Sequence, residues 1–134
     1  MKSFWSLFIT AILTLLFLDY ILIGIIYKNK YMNAIASVQG SELSVRYGSA
    51  IVVYLAIATM IIVWVLPRVE AVTKNKSDLM MNSFKYGGLL GGLSYAIFNF
   101  TNNAIFKNWT LETAIVDTLW GSFLTGATTY VLTL

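Results

Sequence analysis

Four long stretches of the chain are apolar on every side, and polar residues gather between them. They run over about 3–27, 48–66, 84–106 and 111–134. A helix that crosses a bilayer needs about 20 mostly apolar residues, and each stretch meets that length. Membrane barrel strands would instead alternate in polarity over about 10 residues. The pattern predicts an all-α fold, an integral membrane four-helix bundle forming one transmembrane domain over 1–134. The second stretch carries no charge and is expected to stop at Pro67-Arg68. The first exceeds the 7–15 apolar residues of a typical signal core, so it reads as an uncleaved anchor.

The connection from Lys28 to Tyr47 is long for a helix–helix loop. Tyr31, Ile35 and Val38 recur in it at helical spacing before Gly40. This predicts a short interfacial helix between the first two spans, with a partly helical loop as the alternative. Orientation follows the lysines and arginines of the short connections. Lys2, Arg68, Lys74, Lys76 and Lys85 would share one side, against Lys28, Lys30, Arg46 and Lys107 on the other. The excess places both termini in the cytoplasm of a multi-pass protein.

Composition narrows the chemistry. Of 134 residues, 58% are hydrophobic and 11% charged, with no Cys, no His and one Pro. Soluble domains carry about 25% charged residues, so a soluble enzyme domain and a disordered chain are excluded. Without Cys or His, the usual zinc, haem, iron–sulfur and thiol-nucleophile chemistries lack their ligands. No cofactor is expected. The basic connection from Arg68 to Lys85 fits anionic headgroups and is too sparse for nucleic acid. A retinal Schiff base would need a lysine inside a span, and there is none.

Charge inside a span costs about 2.5–3.5 kcal/mol on insertion scales, which makes Asp19 and Asp117 the residues to explain. Asn99, Thr101, Asn102 and Asn103 add a polar run to the third span. At about 1.5 Å rise per residue, counted from the Lys28–Tyr47 side, Asp19 lies about 12 Å deep, Asn99 about 10 Å, and Asp117 and Tyr54 about 9 Å. All four spans thus place a polar group in one layer, whichever face is outside. With no basic residue inside a span, two acids in a low-dielectric layer call for a shared proton or an oxygen-bound cation. Tyr20, Tyr54 and Tyr95 join the amides as neutral partners. The plain structural alternative is a protonated aspartate joining helices, worth about 0.6–2 kcal/mol.

Small residues mark the helix contacts. Gly87/Gly91 and Gly88/Gly92 form two overlapping small-xxx-small pairs, extended by Ala96. Asp117, Gly121, Thr125 and Thr129 recur every four residues in the fourth span, flanked by Ser122 and Gly126. Close approach of these two helices is expected, within the chain or across a dimer. A phosphate-cradling loop needs a strand-to-helix turn, which glycines inside an apolar helix do not provide. The glycosylation triplets at Asn75, Asn99 and Asn108 read as chance.

Several of these residues together resemble a known family. Leu18-Asp19 with Gly24, Tyr54 with Pro67, Tyr95 with Thr101-Asn102, and Val116-Asp117-Thr118-Leu119-Trp120-Gly121 are similar to domain of unknown function 2177, a family of small four-helix membrane proteins. Asp117-x-x-Trp120-Gly121 and Thr101-Asn102 after Tyr95 are the most specific pieces. Two positions depart from the pattern the resemblance implies: Asn99 stands for an Asp and Leu22 for a Trp. The resemblance implies fold and motif without an activity.

Three functions remain open. Protons or a small cation could cross or bind at Asp19 and Asp117, with Asn99, Thr101 and Asn102 as neutral ligands. Four helices leave little room for a pore, so this reading expects a homo-oligomer. Alternatively, the aromatic-rich bundle binds or modifies a lipid or isoprenoid, and an enzyme of this kind would use one Asp as general acid or base. Tyr20, Tyr54, Tyr95, Trp120 and Gly121 support either site. Third, the layer only sets helix register in an accessory protein. Whether the layer encloses water or ligand, or is tightly packed, separates these readings.

Overall fold

A computed structural model describes residues 2–134, and every described element is helical. Helix α1 spans Phe4–Ile26, α2 Lys28–Gln39, α3 Tyr47–Val72, α4 Leu79–Ile105 and α5 Leu111–Thr133. A single 3-10 turn, Lys76–Asp78, leads into α4. Two of the five helices, α1 and α3, are long and apolar enough to cross a membrane. The pattern had offered four such spans; α4 and α5 fall short because glycine, threonine and asparagine dilute their apolar content.

Local chemistry sets the helix ends. Ser3 caps α1 by accepting from the Ser6 amide, and Thr110 caps α5 by accepting from the Thr113 amide at 3.1 Å. Each cap satisfies one of the donors that a helix start leaves without a partner. Helix α2 stands where a short helix was expected between the first two spans, with bounds wider than Tyr31–Val38. It ends at Gly40, whose φ of 75° lies in the left-handed region. Its apolar face sets Ala34, Tyr31, Ile35 and Val38 on Trp109 and Ala114.

Pro67 does not end the second long helix, contrary to expectation. The helix runs on to Val72 because a π-type turn, Ile61–Val65, precedes the proline. Proline lacks the amide hydrogen and its ring crowds the carbonyl four residues back. The widened turn, in which the Leu66 amide reaches Ile61 O, accommodates the ring without a break. Helix α4 likewise starts at Leu79, earlier than the apolar run near 84 predicted.

Helices α4 and α5 pair most closely. Gly91 faces the Thr125 side chain and the Gly121 carbonyl, and Gly87 faces Thr125 O and Thr129. Ser122 Oγ donates to Gly88 O at 2.9 Å across the contact. A Cβ at Gly91 would collide with Thr125, so the small rows are a steric requirement of this intrachain pair. The main core cluster draws Ala11 and Leu15 from α1, Ile57, Ala58, Ile61, Ile62 and Leu66 from α3, and Leu124 and Leu132 from α5. Helices α4 and α5 bury polar side chains and expose apolar ones. Asn99, Thr125, Thr128 and Thr129 are buried on α4 and α5, whereas Leu89, Leu93, Ile97 and Leu119 are exposed.

Candidate functional site: an acidic cleft between helices

The site is built on antiparallel α1 and α5, tied at both ends. Lys2 Nζ donates to Leu132 O at 3.3 Å. At the other end Lys30, just beyond α1, donates from Nζ to Glu112 Oε1 at 2.8 Å. Asp19, late in α1, and Asp117, early in α5, therefore share one end of the molecule.

Each acid has neutral partners. Asp19 is 8% exposed and accepts from Tyr54 Oη at 2.6 Å and from Trp120 Nε1 at 2.8 Å. Asp117 is 7% exposed and accepts from Asn99 Nδ2 at 2.6 Å. The same amide nitrogen donates to Tyr95 O at 2.9 Å. These two bonds employ both amide hydrogens, which fixes the side-chain orientation. Asn99 Oδ1, in a fully buried side chain, is left without a hydrogen-bond partner. Among the described residues no donor reaches Asp117 Oδ1 either. Asp117 and Trp120 lie one turn apart on α5, so a single helix face joins both acids.

Both carboxylates line one half-open cleft of about 420 Å³. Ala50, Val53, Tyr54 and Ile57 of α3 form one wall, and Ser94, Tyr95 and Phe98 of α4 form the other. Ile23 of α1 and Tyr31 of α2 complete the lining. The cleft exists because α3 packs on α4 through its Ile61–Val72 half and diverges from it along Tyr47–Met60. Gly121 is essential to the α4 wall, for any Cβ there would strike the Tyr95 ring. Another groove, of about 440 Å³, lies on the outer face of α3 and has no titratable side chain.

Not every sequence-derived residue reaches this cleft. Thr101 is exposed and Asn102 half-buried, and neither side chain bonds to an acid. Thr101 lies on nearly the opposite side of α4 from Asn99, and Asn102 lies one turn past Phe98, where the α4 lining of the cleft ends. Tyr20 is 65% exposed, its ring folded over Gly24. Adjacent residues on a helix point about 100° apart, so with Asp19 turned inward Tyr20 must turn away. Asn103 caps the α4–α5 turn instead, donating from Nδ2 to Trp109 O at 2.7 Å.

Sequence reasoning missed Tyr31, Ser94 and Phe98 as lining residues. Ser94 and Phe98 share a face of α4 at four-residue spacing, a signal outweighed by the asparagines. Tyr31 was legible only as part of an amphipathic face, since nothing in the pattern placed α2 over the cleft. Trp120, by contrast, serves as a donor to Asp19 as well as a supporting aromatic.

The family model described as predicted membrane protein (DUF2177) matches residues 4–134, which include both acids and both cleft walls. The chain belongs to this family. No curated protein and no solved structure matches it. Within this DUF2177 member, Asp117-x-x-Trp120-Gly121 acquires a physical meaning. Asp117 holds Asn99, Trp120 holds Asp19, and Gly121 admits Tyr95.

Proposed function

We propose that this protein is a multi-pass, four-helix membrane bundle that binds an amphipathic molecule drawn from the bilayer. The burial pattern of α4 and α5 supports two further spans, since apolar outer faces suit lipid and buried threonines and asparagines suit helix contacts. The observation that carries the binding reading is the cleft itself. Its volume of about 420 Å³ falls within the ~300–1,000 Å³ of small-molecule pockets. Its rim residues Val53 and Phe98 are apolar and half-exposed, so the opening between α3 and α4 faces the acyl chains in this reading. A lining of apolar side chains around a few converging polar groups matches such pockets.

The experiment compares wild type with Ala50→Trp, which fills the cleft and leaves both acids in place. Protein purified from membranes is extracted and its bound amphiphiles are identified by mass spectrometry. Wild type should carry an amphiphile that the Ala50→Trp variant lacks. An identical lipid complement in the two would refute the reading.

A second reading, proton or small-cation transport, draws on the absence of any Lys or Arg along the cleft walls beside its two carboxylates. It retains the expectation of a homo-oligomer with the path at subunit interfaces. Among the described residues no three His, Cys, Asp or Glu side chains gather as a metal site. A held cation would thus depend on hydroxyl and amide oxygens as well. Liposome flux that Asp117→Asn abolishes would favour this reading over the first.

A further inference from the structure

We infer that the cleft selects amphiphiles whose polar end donates hydrogen bonds and carries no negative charge, an alcohol or an amine, and rejects carboxylates and phosphates. This rests on the binding reading above and names the chemistry of its ligand. Three observations carry it. First, two carboxylates and no cationic side chain line the cleft. An anionic headgroup would bring its acceptor oxygens against the acceptor oxygens of the acids, with no cationic side chain in the lining to offset them.

Second, the free polar atoms are those a donor would complete. Asp19 has both oxygens occupied, by Tyr54 and Trp120. Asp117 has one oxygen held by Asn99, and Oδ1 remains without a donor in a side chain only 7% exposed. That oxygen is not sealed off and stays accessible from the cleft that Asp117 lines, so a hydroxyl or amine seated here would supply it with a hydrogen. Third, the Tyr31 and Tyr95 rings line the same cleft, and no protein partner takes either phenol among the described residues. Phenols both donate and accept, so they suit either head, while the apolar walls take the chain.

The test uses the full chain in phosphatidylcholine nanodiscs. Four saturated probes of equal chain length are offered, ending in hydroxyl, amine, carboxylate or phosphate. Probe retained per protein after repurification is quantified by mass spectrometry, with Ala50→Trp discs as the background. The hydroxyl and amine probes should exceed the two anionic probes by about tenfold. Asp117→Asn should reduce the amine-over-carboxylate ratio, and Asp117→Glu should preserve it. Anionic probes retained as well as the others would overturn the inference and leave the cleft reading intact. Retention of no probe above the Ala50→Trp background would overturn both. The wild-type comparison decides even if an Asp117 variant fails to fold.

Discussion

Gly121 makes the link between helix packing and the cleft measurable. A Cβ at this position would strike Cγ and both Cδ atoms of the Tyr95 ring. Rotation about χ2 cannot relieve a contact at Cγ, so the ring must leave its rotamer or α4 must shift. Overpacking of this kind costs about 1–3 kcal/mol. Alanine also gains up to about 1 kcal/mol over glycine in a helix interior, which would mask part of the clash. Gly92 supplies the control, because a Cβ there meets Ser122 Cβ at 3.4 Å, an ordinary contact. Gly92→Ala should therefore be neutral or slightly stabilising, and Gly121→Ala should lie about 1–3 kcal/mol below it. Reversible unfolding in mixed micelles, followed by tryptophan fluorescence, reads that difference. In a Tyr95→Ala background, which removes Cγ and both Cδ atoms, Gly121→Ala should lose most of its cost, whereas a Tyr95→Phe background should leave it unchanged, since the ring carbons and not the hydroxyl collide. Equal stability of Gly121→Ala and Gly92→Ala, or rescue by Tyr95→Phe, would sink the reasoning.

Two other outcomes follow from named contacts. Tyr54→Phe and Trp120→Phe each remove one donor from Asp19 and should each lower stability by about 0.6–2 kcal/mol; because both donors serve one carboxylate, the double variant should depart from additivity. Micelle unfolding of the two single variants and the double variant measures that coupling, and strict additivity would contradict a shared acceptor. Gly40→Ala should cost about 1–2 kcal/mol for its left-handed backbone, with no steric share because no atom lies within 4 Å of the added carbon. Gly40→Asn should recover part of that loss, and hydrogen exchange along α2 would report it.

Much of the candidate site was legible because helix rise converts sequence separation into depth. Counting from the helix ends placed Asp19, Tyr54, Asn99 and Asp117 in one layer, and the structure links them in two hydrogen-bonded sets, Asp19 with Tyr54 and Asp117 with Asn99. Depth says nothing about azimuth, and the misplacements share that cause. Tyr20 adjoins Asp19 in sequence yet faces outward, and Thr101 sits two positions past Asn99 on another face. Pro67 was misread for a different reason. A local rule against proline in a helix interior takes no account of the π-type turn that can absorb it.

By itself the sequence determined the helical class, the small-residue seam between α4 and α5, and the two acids that apolar surroundings single out. These are properties of composition and of periodicity along one axis, and both are written in the order of residues. Only the tertiary structure decided which donors the acids receive, that Asp117 keeps an oxygen free, and that a cleft opens there at all. That cleft results from the divergence of α3 from α4 along Tyr47–Met60. Divergence depends on how whole helices pack, and no local pattern encodes it.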